Sequence, residues 1–430
     1  MSEDDSSCDV LVCGGGPAGI AAAVSAARSG ADTLLVERYG FLGGMATAGL
    51  VNPFMTYHAG QEQIIHGIFQ ELLDRLTELG GYGRWGTAFD PELLKIAADQ
   101  MCIESGVRLL LHAFVSGVQV SGSKIDTVRL TCKPSGRWAR AAVYVDATGD
   151  ADVAFLAGVP CEKGREIDGL TQPMTLNFRM AGVDTSRLPS REGITELYLR
   201  AREQGRIDCP RNDVLYFRTT REGEVHFNTT RVTRADGTSA DDLTRAEIES
   251  RRQMSQIGEF LRSDVPGFGN AYLQVSGVQI GVRETRRIVG DYVMTADDVL
   301  QARKFDDCVA RGSYPLDIHD PDGGGTLIKS LPPGESYDIP YRCLVPLGID
   351  NLLVAGRPIS CTHEAHSSIR VMPIACAVGQ AAGAAAALCA RKQVAPRRLD
   401  VKLLQGNLLR QGANLGEAVR SQLSAVRPGD

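Results

Sequence analysis

The hexapeptide Gly14-Gly15-Gly16-Pro17-Ala18-Gly19 has the spacing G-x-G-x-x-G. It follows the apolar run Val10-Leu11-Val12 and opens a stretch of small residues from Ala18 to Ala27, so it reads as a turn from a buried strand into a helix. In such a turn Gly14 permits the bend, Gly16 lets the backbone approach a pyrophosphate, and Gly19 allows close helix–strand packing. The phosphates then sit at the positive end of the helix. Glu37 closes the next strand, Thr33 to Val36, where a carboxylate can accept hydrogen bonds from both ribose hydroxyls and repel a 2′-phosphate. These residues predict a dinucleotide site.

A second suggestive stretch is CTHEAHSSIRVMP, Cys361 to Pro373, where His363 and His366 stand three residues apart. The metal motif H-E-x-x-H spaces its histidines by four, and no third ligand is evident here, so no metal site is expected. Histidine suits proton transfer because its unperturbed pKa lies near working pH. His363 and His366 are therefore the leading candidates for a base, with a role in packing or backbone hydrogen bonding an equal alternative for either. His58 is a weaker candidate, as are Tyr57, Tyr292, Tyr337 and Tyr341. In GVRETRRIVGDY, Arg283, Arg286 and Arg287 could clamp an anion bidentately or pair internally with Glu284. Arg283 and Arg370 are kept as candidate substrate contacts.

The elements that must position these groups follow from patterning. Helical spacing runs from Ile64 to Leu79 and, behind a first-turn proline, from Pro91 to Ser105. VRLLLHAFVSGVQV, IDTVRLTC and AAVYVDATGD read as strands, giving an α/β alternation up to about residue 160. From 165 to 300 the chain turns more polar, with strand-like MTLNFRMAGV, VLYFRTT and EVHFNTTRV and a charged helix from Leu243 to Leu261. Near Leu352 the α/β character returns with NLLVAGRPIS and a small-residue helix, while DPDGGGTL reads as a turn.

Composition excludes several classes. A net charge of -6 and a pI near 5.8 argue against nucleic acid as a partner. Eleven scattered cysteines without a C-x-x-C fit reduced thiols, and with no signal-like N-terminus or long uncharged apolar run seen, a cytoplasmic protein without a membrane segment is expected.

The runs ERYGFLGGMATAGL, DATGDADVAFLAG, GVRETRRIVGDY and NLLVAGRPISCTHEAHSSIRVMPIACAVGQAAG, in this order, resemble the FAD-dependent oxidoreductase family of the glutathione-reductase-like class. The resemblance implies an α/β fold: a Rossmann-like FAD-binding domain built from residues 9–164 and 301–430, with an inserted α+β substrate domain at 165–300 and a disordered tail at 1–8. It implies FAD contacts from Gly14, Gly16, Pro17, Ala18, Gly19, Glu37 and Arg38, and flavin or ribityl contacts from Gly43, Gly44 and Met45. Val115 would meet the adenine. Ala147, Thr148 and Gly149 form a second cofactor turn and Gly356 with Arg357 a third, and the helix starting near Ile369, Arg370 and Pro373 aims its N-terminus at the flavin's pyrimidine edge.

No second G-x-G-x-x-G and no redox C-x-x-C are present, which disfavours disulfide reduction and nicotinamide-driven hydroxylation. The expected reaction is dehydrogenation of a small organic substrate by hydride transfer to the flavin with a histidine base, electrons leaving to oxygen or a carrier. The alternatives are a nicotinamide-binding or non-redox enzyme on the thiazole-synthase scaffold, or a flavin monooxygenase.

Overall fold

The computed structural model describes residues 7–84, 86 and 88–425. Residues 1–6 of the expected tail lie outside the described residues. Ser7 and Cys8, assigned to that tail by sequence, instead begin the first strand.

The main sheet starts with β1 (Ser7–Cys13), which leads through the glycine turn into helix α1 (Pro17–Arg28) and then β2 (Thr33–Val36). Val10, Leu11 and Val12 are fully buried, as a parallel strand covered on both faces requires. Helices α2 (Ile68–Glu78) and α3 (Pro91–Glu104) precede β3 (Arg108–Leu110), β4 (Phe114–Ser121), β5 (Lys124–Thr131) and β6 (Arg137–Asp146). From the far end of the chain come β7 (Leu352–Val354) and helix α4 (Met372–Lys392). The parallel order is β3-β2-β1-β6-β7. Strand β6 serves two layers, pairing antiparallel with β5 through Arg137–Ala139 and parallel with β1 from Arg140 onward.

Register brings the scattered motifs together. Val36 pairs with Cys13, Cys13 with Asp146, and Asp146 with Val354, so the strands β2, β1, β6 and β7 end on one row. One residue further along each strand stand Glu37, Gly14, Ala147 and Ala355.

Helices α1 and α4 pack at glycine distance. A Cβ on Gly379 would lie 2.0 Å from the Ala18 carbonyl oxygen, and one on Gly383 2.0 Å from that of Ala22. Contrary to the sequence expectation, α4 is long and apolar enough by length and composition to cross a membrane, but 89% of its apolar window is buried inside the protein. It is the central helix of the core, and Gln380 within it accepts a hydrogen bond from the Ile68 N–H at the start of α2.

A second sheet is inserted between β6 and β7. Its four antiparallel strands run in the order Tyr216–Arg218, Val225–Phe227, Phe178–Ala181, Tyr272–Ser276. Helices Arg191–Glu203 and Ala240–Asp264 pack with it around Phe178, Phe227, Phe260 and Phe268. This core runs from Met174 to Val282. Residues 286–300, grouped with it by sequence, belong elsewhere: Arg286–Ile288 pairs with Cys161–Lys163, and Met294 and Val299 join the main core. The DPDGGGTL turn caps a hairpin of Leu316–His319 with Thr326–Lys329.

A candidate cofactor trough and the cavity beside it

Three adjoining cavities follow the row of strand ends. The first, of about 40 Å³, is lined by Gly14, Glu37, Arg38, Val115 and Thr148, among others. The second, of about 110 Å³, shares Gly14, Glu37, Arg38 and Thr148 with it and adds Gly16, Pro17, Ala18, Gly44, Met45, Ala147, Gly149, Gly356 and Arg357. The third, of about 640 Å³, shares Met45, Arg357, Arg370 and Met372 with the second and opens between the main sheet and the inserted unit. Of the expected cofactor contacts, Gly19, Gly43 and Ile369 do not line this trough. Gly19 packs the turn, since a Cβ there would lie 1.7 Å from the Gly14 oxygen, and Ile369 is buried in the core.

The turn positions of Gly14 and Gly19 tolerate nothing larger than glycine. Gly14 holds φ +102°, and a Cβ on it would meet the Ala147 oxygen at 2.4 Å. Gly16 is the opposite case: its Cβ position meets only Gly44 Cα, at 3.8 Å, leaving its backbone open to the trough. Replacing Gly14 by alanine is expected to cost about 1–3 kcal/mol of stability through overpacking and to reduce bound cofactor in the purified protein. Native cofactor content and an unchanged melting temperature would contradict this.

Two helix N-termini face the trough without a side-chain cap. α1 starts at Gly16 and α4 at Val371, each with proline in its first turn, while Pro17, Ala18, Met372 and Ala375 line the second cavity. The other long helices start on a side-chain acceptor: Asp90, Ser190, Ser239, Asp400, or Gln380 for α2. First-turn N–H groups without a partner, backed by the helix dipole, are anion-binding groups. Glu37, buried, accepts from the Gly15 N–H at 2.6 Å through one oxygen and from the Tyr39 N–H at 2.9 Å through the other. Each oxygen keeps a lone pair for a further donor. Arg357 pairs with Asp150 at 2.8 Å, joining the turns after β6 and β7. Sequence reasoning missed Gln279, whose side-chain oxygen accepts from Arg38 at 2.7 Å and from the Tyr39 hydroxyl and thereby closes the trough from the inserted unit.

The large cavity is lined by both units. From the inserted sheet and its loops come Thr175, Asn177, Arg211, Asn228 and Arg283, and from the hairpin and its approach Tyr314, Asp317 and His319. Arg283 donates through Nη1 to the Pro173 carbonyl and to Thr175 Oγ1, both at 2.7 Å, and through Nη2 to Asn228 Oδ1 at 3.2 Å. Burial first, then the neighbouring guanidinium groups of Arg370, Arg211 and Arg231, push its pKa well down. Asp317 accepts from the Tyr314 hydroxyl at 2.9 Å and faces His319 Nε2 at 3.5 Å and Arg370 at 3.7 Å. Burial alone would raise its pKa, but His319, Arg370 and Tyr314 outweigh it and hold the carboxyl well below the usual range. His319 Nδ1 accepts from Arg231 at 3.0 Å, which assigns the proton to Nε2. Burial, then Arg283, push its pKa down to about 3, so the ring is neutral.

Neither His363 nor His366 lines any of the three cavities. His363 Nδ1 lies 2.9 Å from the fully buried Glu284, which also binds Arg287 and the Gln172 N–H, and Arg287 ties on to the carbonyls of Cys361 and Gly164. His366 is buried, its Nδ1 without a partner, and burial together with Arg287 and Arg370 pushes its pKa well down. The base expected from sequence is thus displaced by a simple cause: the short helix His363–Ile369 turns both rings into the core. His58 is exposed in the strand His58–Ala59, away from the cavities, and Arg286 pairs with Asp152 at 3.0 Å. Among the described residues no three His, Cys, Asp or Glu side chains converge as metal ligands.

A parallel sheet with an uncapped glycine turn, a carboxylate at the end of the second strand and a trough along the strand ends defines a dinucleotide-binding α/β protein. The chain belongs to the FAD dependent oxidoreductase family, whose model matches residues 9–408, and its cofactor is FAD. Among solved structures it is similar to a geranylgeranyl bacteriochlorophyll reductase-like protein from Thermoplasma acidophilum, at 14% identity over 97% of this chain and 86% of that one, TM-score 0.46. It is also similar to p-nitrophenol 4-monooxygenase from Pseudomonas putida DLL-E4 (10% identity, 98% and 91% covered, TM-score 0.48) and to a flavin-dependent brominase (13% identity, 90% and 80% covered, TM-score 0.45). No curated protein matches the sequence significantly.

Proposed function

We propose that this protein is an FAD-dependent dehydrogenase or oxidase of a small organic substrate, with an FAD-binding unit of the glutathione-reductase type and an inserted unit that forms the far wall of the substrate cavity. The observation that carries the reading is the continuity of the trough with the large cavity through Met45, Arg357, Arg370 and Met372. The residues present fit the dinucleotide: the uncapped N-terminus of α1 for its pyrophosphate, Glu37 for the ribose, Val115 beside the adenine, and the uncapped N-terminus of α4 with the Gly44–Met45 loop and Arg370 at the ring system. When bound, FAD supplies a two-electron acceptor for the substrate's C–H bond.

The protein's own residues must orient the substrate and take its second proton. Asp317 takes that role in this reading, because of the two carboxylates on the cavity it is the one whose orientation Tyr314 and His319 fix. His363 instead holds Glu284 in the core. Asp317→Asn is expected to slow flavin reduction by roughly 10²–10⁴-fold with FAD content unchanged. His363→Asn should lower the melting temperature while leaving the reduction rate within a few-fold of native.

The test of the whole reading is purification, release of the cofactor by heat and its identification by mass. This is followed by anaerobic mixing with candidate substrates and observation of flavin bleaching. A colourless protein that takes up no FAD would sink it. Oxygen-dependent transfer of an oxygen atom to product, driven by a nicotinamide, would replace it with a monooxygenase.

A further inference from the structure

The large cavity carries an excess of positive charge around a largely apolar hollow. Arg191, Arg211, Arg283, Arg357 and Arg370 line it, against only two lining carboxylates, Asp213 and Asp317. Most of these cations have a partner: Arg357 pairs with Asp150, Arg211 Nε with Asp213 at 2.9 Å, and Arg370 with Asp317. Among the described residues, Arg283 has no carboxylate within ion-pair distance. Its neutral acceptors use three of its five N–H donors, leaving Nε–H and one Nη2–H. Nearby, Arg211 Nη1 and Arg370 Nε are buried without an acceptor, and Arg211 is only 3% exposed. A guanidinium that is largely withdrawn from water, as Arg283 is, with spare donors and no counter-charge is costly unless an anion completes it. Met55, Leu215, Phe217, Ile328 and Val371 supply the apolar wall around these groups.

We propose that the substrate is an organic carboxylate with an apolar body, its carboxylate seated on Arg283 with Arg211 Nη1 and Arg370 Nε completing the anion subsite. The donors left on adjacent nitrogens of Arg283 match the two oxygens of a carboxylate, which a planar guanidinium binds bidentately. Thr175 and Asn228 hold the guanidinium in place before the anion arrives, so little ordering is needed on binding. This assignment rests on the flavoenzyme reading above and names the substrate class for that site.

The experiment uses the FAD-loaded protein, with benzoate, its neutral isostere benzamide, and inorganic phosphate as probes. Binding is read by calorimetry and by the perturbation each probe makes in the flavin absorbance. Benzoate is expected to bind saturably and at least tenfold more tightly than benzamide or phosphate. Arg283→Gln should weaken benzoate roughly 10- to 100-fold, the range for a charged hydrogen bond lost. Arg262→Gln, on the exposed face of the helix Ala240–Asp264, should bind as native does. Equal binding of benzoate and benzamide, no saturable benzoate binding, or tighter binding of phosphate would overturn the proposal. The native comparison needs no variant to fold. A protein that purifies without FAD fails the functional reading, whereas a loaded protein indifferent to benzoate fails only this one.

Discussion

Replacing Glu284 by alanine is expected to destabilise the protein by about 3–5 kcal/mol, the range for breaking a buried ion pair and leaving its partner uncompensated. Glu284 is fully buried and accepts from three directions: Arg287, His363 and the Gln172 N–H. Through Arg287 it also orders the carbonyls of Cys361 and Gly164, so one carboxylate joins the chain near residue 164, the inserted unit near 172 and the segment before α4. Alanine would strand a guanidinium in the core with no route to water. Glu284→Gln, which keeps an acceptor but not the charge, should fall between alanine and native. Denaturant unfolding measures both. A loss below about 1 kcal/mol for alanine would mean that the network behaves as a surface pair and organises nothing.

Acid should be the other large lever. His226, His319 and His366 are buried, and burial pushes the pKa of His226 and His319 down to about 3 and that of His366 well down. All three are neutral in the folded protein, yet in the unfolded chain each takes up a proton as pH falls through about 6.5. Their contribution is complete above that value and is lost progressively towards pH 3. Three extra protons on the unfolded chain correspond to a slope of about 4 kcal/mol per pH unit. Asp146 acts in the opposite sense, because burial raises its pKa to about 6 and the folded state gains its proton first. Asp99, Asp152 and Asp338, whose carboxyls burial also pushes up, act in the same sense as Asp146, so the net fall below pH 6 is shallower than the histidines alone would give. Unfolding by denaturant at pH 7, 6 and 5 measures it, and a flat profile would show that these rings find water or a proton in the fold.

The trough along the strand ends was legible in the sequence because its position is set by backbone pattern. Gly14, Glu37, Ala147 and Ala355 each sit just past a short apolar strand, and parallel pairing with matched ends places them on one row. Local pattern and sheet geometry suffice for that. The substrate side was not legible because its residues owe their position to packing between distant segments. Arg211, Asn228, Asp317 and His319 come from loops and a hairpin with no motif, and only Arg283 and Arg370 were candidates by sequence. His363 and His366 misled for the same reason: their types and spacing suggested proton chemistry, but the His363 ring is turned to Glu284, far away in sequence, and the His366 ring is buried in the core. The alternation in SYPLDIH, facing a glycine turn, was the signal available for Asp317 and His319.

The close crossing of α1 and α4 also fixes when this protein can acquire its cofactor. The glycine turn leaves the ribosome early, but Gly379 and Gly383 must seat against Ala18 and Ala22 before the second uncapped helix end meets the first. Chains are made from the N-terminus, and domains generally fold as units during synthesis. Here the first strand and helix wait for a partner some 350 residues downstream (372 − 17 = 355), with the whole inserted unit emerging in between. Nascent chains stalled before residue 372 should therefore retain no FAD however well their inserted unit has folded, which makes loading an event of the released protein.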